Sequence, residues 1–145
     1  MTLHPDTLRP ATDTAALLGE SPLWHPVEQC LYFCDIPGHR LHRLQPDTGR
    51  LDTWAFDTDV SACVPARRGG LVLTLRTGIV HFDPVTGART LLAQPPYDPG
   101  RERFNDAKCD PAGRLWVGTI YEPRDPALAA LYCLDETGRL SRRAD

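Results

Sequence analysis

Three side chains in this sequence have types and positions suited to acting together. Glu20 stands six residues before Pro26, and Asn105 stands six residues before Pro111. Arg103 lies two residues before Asn105. On an extended strand that spacing puts Arg103 and Asn105 on one face and turns Asp106 away. A glutamate offers a hard oxygen ligand to Ca2+ or Mg2+. An asparagine amide both donates to and accepts from hydroxyl groups. An arginine forks onto a carboxylate, a phosphate or a developing oxyanion. The three together would make a polar site for a small hydroxylated substrate.

Since 85 residues separate Glu20 from Asn105, only a repeating architecture would bring them to one opening. The sequence has such a repeat. Leu41–Leu51 (LHRLQPDTGRL), Ile79–Arg89 (IVHFDPVTGAR) and Leu131–Leu140 (LYCLDETGRL) each run from an alternating apolar segment through Thr-Gly into another segment. Their glycines, Gly49, Gly87 and Gly138, predict tight hairpin turns with positive φ. Upstream of each lies a β-rich run: Cys30–Ile36, Gly70–Leu75 and Arg114–Ile120. Before these come shorter strands at Ser21–His25, Ser61–Pro65 and Asp106–Asp110. Four short antiparallel strands per unit is the pattern of a β-propeller blade, and blades stack around a channel lined by their first strands. The expected fold is therefore all-β, with blades at 19–56, 59–93 and 104–145 and a ring-closing strand within 1–18. In the second blade, the position matching Glu20 and Asn105 is Val60, flanked by Asp59 and Ser61. Only Asp125–Ala130 (DPALAA) reads as briefly helical.

Composition narrows the function classes. The chain has 145 residues, 16 Lys+Arg against 19 Asp+Glu, and a formal net charge of −3. That balance argues against a nucleic-acid or anionic-membrane surface, either of which calls for a basic surplus. No stretch approaches the ~18 consecutive apolar residues of a membrane span. The N-terminal segment has no basic start and no long apolar run, so a cytoplasmic location is expected. With 11 Gly and 14 Pro, short strands and turns are favoured over helices. Five cysteines, an odd number, argue against a disulfide framework. Cys30 and Cys34 are ~13 Å apart along a strand, too far to share a bond or a metal. His39 and His42 are expected at the surface around a turn. Trp24, Trp54 and Trp116 are expected to pack blades.

The quoted residues carry a family resemblance. Gly19–Trp24 (GESPLW), Leu31–Pro37 (LYFCDIP), Arg103–Asp106 (RFND), Asp110–Arg114 (DPAGR) and Gly118-Thr119 resemble the regucalcin/gluconolactonase, or senescence marker protein, family. The resemblance implies a six-bladed β-propeller holding one divalent cation, Ca2+ foremost, with Zn2+, Mn2+ or Mg2+ in some relatives. It implies metal-dependent hydrolysis of a sugar lactone. It assigns Glu20 as a metal ligand, Arg103 and Asn105 as substrate-binding residues, and Glu122, shortly after the Gly-Thr element, as a further substrate contact. The remaining Asn and Asp ligands, and the general base, belong to the later half of such a ring, so no catalytic residue is expected here.

Three blades are half of a six-bladed ring. The chain is accordingly expected to be the N-terminal half of a truncated or partial enzyme. Two alternatives accompany that expectation: a half that pairs with a second copy to complete six blades, and a non-catalytic binding module built on a partial propeller.

Overall fold

In the computed structural model, which describes residues 8–145, twelve strands form three four-stranded antiparallel sheets. The first blade contains β1 (Gly19–His25), β2 (Cys30–Asp35), β3 (Arg40–Leu44) and β4 (Leu51–Ala55). The second contains β5 (Val60–Pro65), β6 (Leu71–Leu75), β7 (Gly78–Phe82) and β8 (Arg89–Ala93). The third contains β9 (Glu102–Cys109), β10 (Leu115–Tyr121), β11 (Leu131–Leu134) and β12 (Leu140–Ala144). Each sheet is a simple meander in chain order. The strand β5 lies against both β1 and β9, so the first strands of the three blades line up side by side. This is the stacking of propeller blades.

The predicted turns are present. Gly49, Gly87 and Gly138 take φ of 69°, 74° and 82°. In the last two blades an aspartate locks the turn. Asp83 accepts from the Val85 N–H and the Thr86 hydroxyl, and Asp135 accepts from the N–H groups of Thr137 and Arg139.

Alternation decides which side chains enter the seams between blades. Cys30, Tyr32 and Cys34 of β2 and Leu71 and Leu73 of β6 are fully buried in the seam between the first two blades. Trp54, Phe56 and Phe82 complete it, with Phe82 edge-on to both other rings at 5.7 and 5.6 Å between centroids. The second seam is smaller in side-chain size. Ala62, Val64 and Ile79 meet Phe104, Leu115, Val117 and Leu134. The outer strands β8 and β12 are largely exposed, and β4 is half-buried.

Residues 8–18 form no strand, and residues 1–7 of the expected ring-closing segment lie outside the described residues. The Asp35 carboxylate fastens this segment to the first blade by accepting the N–H groups of Leu17 and Leu18. Burial works against its ionisation, but those bonds and one from Gly38 outweigh it and hold its pKa below the usual value. Three expectations are corrected. Asp125–Ala130 forms no helix, because Pro126 lacks an N–H and disfavours helical geometry at the residue before it. His42 is buried, not at the surface: its ring stacks on Phe33 at 4.8 Å and its Nδ1 lies 2.9 Å from the Thr53 hydroxyl. Trp24 does not pack the core and remains half exposed.

Candidate functional site at the blade tips

All three inner strands carry the same irregularity. The register gains one extra residue immediately after Glu20 in β1, after Val60 in β5 and after Phe104 in β9. Such bulges bend a strand and re-aim its side chains. In β9 the consequence is direct: Asn105 and Asp106 are both exposed. In β5 the extra residue is Ser61, buried and bonded to the Thr74 hydroxyl at 2.8 Å. In β1 it falls at Ser21-Pro22, where Ser21 has a φ of 52° and a buried hydroxyl without a partner among the described residues.

The bulged ends lie at one end of the stack. His39, in the turn after β2, brings Nε2 to 3.1 Å from Oδ1 of Asp59, just before β5. Arg76, in the turn after β6, reaches Glu122, just past β10. These contacts tie the starts of β1, β5 and β9 together. Glu20 therefore sits at the same end as Arg103 and Asn105. It is exposed, and no described contact joins it to either of them.

Arg76 is the hub of this surface. Its Nε and Nη2 donate to Oδ2 of Asp59 at 2.9 and 2.7 Å. Its Nη1 and Nη2 donate to the two Glu122 oxygens at 3.0 and 2.7 Å. Its Nη1 also donates to the Pro99 carbonyl at 3.0 Å. The Tyr97 hydroxyl donates to the Arg76 carbonyl and accepts the Phe104 N–H, so the hub reaches the strand that carries the site. The Glu122 partnership, set against partial burial and reinforced by Asp59, pushes the Arg76 pKa up. Reciprocally, the Arg76 bonds hold the Glu122 carboxyl below its ordinary value.

Arg103 stands beside the hub, its Nε 3.6 Å from Glu122 and 4.0 Å from Asp59. Its Nη1 donates to Oδ1 of Asn105 at 2.9 Å and to the Phe104 carbonyl. Arg103 and Asn105 are thus joined by a hydrogen bond, and that bond has a chemical consequence. Because the amide oxygen accepts from Arg103, the Asn105 NH2 is left as a donor. Neither that NH2 nor Arg103 Nη2 has a partner among the described residues. The site therefore offers two fixed donors, one of them cationic, suited to an electron-rich oxygen.

The expected metal is a harder fit. No group of three or more His, Cys, Asp or Glu side chains able to hold an ion occurs among the described residues. Glu20 offers one carboxylate, whereas Ca2+ takes about 6–8 oxygens. These residues alone do not fit a complete cation site.

Of the four residues expected at the site, Arg103, Asn105 and Glu122 come together, and Glu20 shares their end of the stack. Asp59, Arg76 and His39 were not foreseen as partners. Asp59 left a trace: it flanks Val60, the repeat position matching Glu20 and Asn105.

Comparison with known proteins identifies the family and supports the fold. Residues 18–145 match the SMP-30/gluconolactonase/LRE-like region. The chain belongs to that family. It is 38% identical over 120 residues to a 6-deoxy-6-sulfogluconolactonase of Pseudomonas putida, covering 83% of this chain and 41% of the relative. It is 40% identical over 139 residues to a pentonolactonase of Haloferax volcanii, covering 93% and 45%. Among solved structures, a calcium-binding regucalcin from Agrobacterium tumefaciens superposes with a TM-score of 0.86 at 26% identity, covering 92% of this chain and 45% of that one. The chain thus spans less than half the length of these relatives.

Proposed function

We propose that this chain supplies the substrate-positioning side of a sugar-lactone hydrolase. The observation that carries the reading is the Arg103–Asn105 pair, with two unpartnered donors beside the Glu122 carboxylate that Arg76 holds. The lactonase relatives support the substrate class.

Hydrolysis adds water to the lactone carbonyl, passes through a tetrahedral oxyanion, and breaks the ring C–O bond while the leaving alkoxide takes a proton. Donors fixed before reaction stabilise that oxyanion, or the hydroxyls beside it, without reorganising. Glu122 is poorly suited to be the base, because its bonds to Arg76 hold it ionised and weakly basic. Its role is to fix Arg76 and Arg103. A divalent cation would polarise the carbonyl. Glu20 could give it one ligand, and the rest would have to come from outside the described residues.

The test is hydrolysis of gluconolactone by the purified chain with Ca2+, Zn2+, Mn2+ and Mg2+ in turn, beside light scattering. A rate above background that falls about 10²-fold in Asn105→Ala supports the reading. A mass near twice the monomer's would add that a second copy completes the ring. Saturable lactone binding with no turnover under any metal would favour the non-catalytic module.

A further inference from the structure

Two cysteines from different blades meet in the first seam. Cys34 of β2 and Cys63 of β5 are 0% and 2% exposed and belong to one buried cluster. The strand β2 lies against β5. Alternation along β2 sends Cys30, Tyr32 and Cys34 into this seam, and Cys63 pairs in register with Leu73, which is fully buried there. The two thiols come within hydrogen-bonding reach of one another. They are 29 residues apart in sequence, so only the stacking of blades brings them together. Cys34 also stands opposite Glu20 in the β1–β2 ladder, which puts the pair at the end of the stack that carries the candidate site.

The other cysteines are placed differently. Cys30 shares the seam but donates to Glu28 Oε2 at 3.6 Å. Cys109 is exposed, and Cys133 is buried in the third blade. A structural zinc ion would need about four ligands, and no group of three or more possible ligands occurs among the described residues. Facing thiols without further ligands are suited to bonding each other.

We infer that Cys34 and Cys63 are a redox-sensitive pair that closes to a disulfide between the first two blades on exposure to a peroxide. One thiolate attacks the peroxide O–O bond and becomes a sulfenic acid, and the departing hydroxide takes a proton to give water. The second sulfur then displaces the sulfenic hydroxyl, which leaves with the second thiol proton as another water. Two thiols are oxidised and one peroxide is reduced. The neighbouring Cys63 thiol, together with burial and the Asp106 charge, pushes the Cys34 thiol well up. The pair therefore stays reduced until oxidant is sustained, because only the thiolate reacts. The inference goes beyond the lactonase reading and does not depend on it.

The experiment treats the folded full chain with hydrogen peroxide, blocks the remaining thiols with iodoacetamide in denaturant and maps the peptides by mass spectrometry. The main link within the chain should join Cys34 to Cys63, and dithiothreitol should remove it. The linked chain should unfold at a higher urea concentration, because closing that loop constrains the unfolded state. Cys63→Ala should abolish both the link and the shift, and Cys30→Ala should leave both. Should Cys63→Ala fail to fold, the peptide map of the unaltered chain decides the matter alone. Free thiols at both positions in a chain already oxidised at Cys109 would overturn the inference. So would a main link between any other two cysteines, a sulfinic acid at either sulfur without linkage, or a lower urea midpoint once the link has formed.

Discussion

The two seams between blades solve one packing problem in different ways. The first is closed by bulk: Tyr32, Trp54, Phe56 and Phe82 interdigitate, with Arg89 over the Phe56 ring at 4.0 Å. The second has a smaller apolar core, and charge caps it where Asp59, Arg76 and Glu122 join the second blade to the third. Hydrophobic burial depends little on pH or salt, whereas ion pairs depend on both. The seam that carries the candidate site is therefore the more sensitive to its surroundings, the first having one such contact, His39 with Asp59. The first seam acts as a fixed support.

The largest expected effect lies in the first seam. Phe82→Ala should destabilise the fold by about 3–5 kcal/mol, read from urea denaturation, because a fully buried ring leaves a cavity among rigid neighbours. A loss below that of any charge removal in the second seam would break the contrast. Arg76→Met comes next. It strands two carboxylates, and with both partly solvated the cost should be about 2 kcal/mol, smaller than for a fully buried pair. This variant should also loosen Arg103 and raise KM for any lactone bound there.

Glu122→Gln should have a smaller effect, well under ~1 kcal/mol, because the Glu122 side chain is 42% exposed and solvent screens its pairing. Its signature is in pH. The folded pKa lies below the ordinary 4.5, so the stabilisation is fully present above that value and is lost as pH falls through the folded pKa. A thermal melt series from pH 6 to 3 should show this dependence reduced in Glu122→Gln and unchanged in a first-seam variant such as Phe56→Leu. The smallest effect on the seams is expected at Asp110, outside both. Bonds from Trp116 and Arg114 draw its pKa down to about 2. Proton titration by NMR should find that value, and Asp110→Asn should remove a stabilisation that is present above the ordinary carboxylate pKa and lost as pH falls towards 2.

The sequence carries the blades openly because each turn is local. Thr-Gly after an alternating strand is sufficient to place Gly49, Gly87 and Gly138. Arg103 and Asn105 were legible for the same reason, being two residues apart on one strand. The hub was not. Arg76 joins residues 59 and 122, a pairing created by how blades stack and not by any spacing along the chain. Nor are the bulges legible, because an extra residue leaves no mark in the alternation until the partner strand's register is known. A turn-adjacent histidine such as His42 reads as a surface residue in sequence, while Phe33 and Thr53 give it an apolar face and a hydrogen bond inside the blade.

The three matched bulges bear on how such a molecule can change over time. A slip of one residue in a regular strand exchanges its buried and exposed faces throughout. Here the extra residue in β1, β5 and β9 absorbs that slip at the tip, and the pairing beyond it runs regularly. Residues at the tips, Glu20 and Asn105 among them, can thus be exchanged as a replaceable set while the alternation that fills the seams stays in place. Mutational drift, or a designer, can rewrite what the opening recognises without renegotiating how the blades are built.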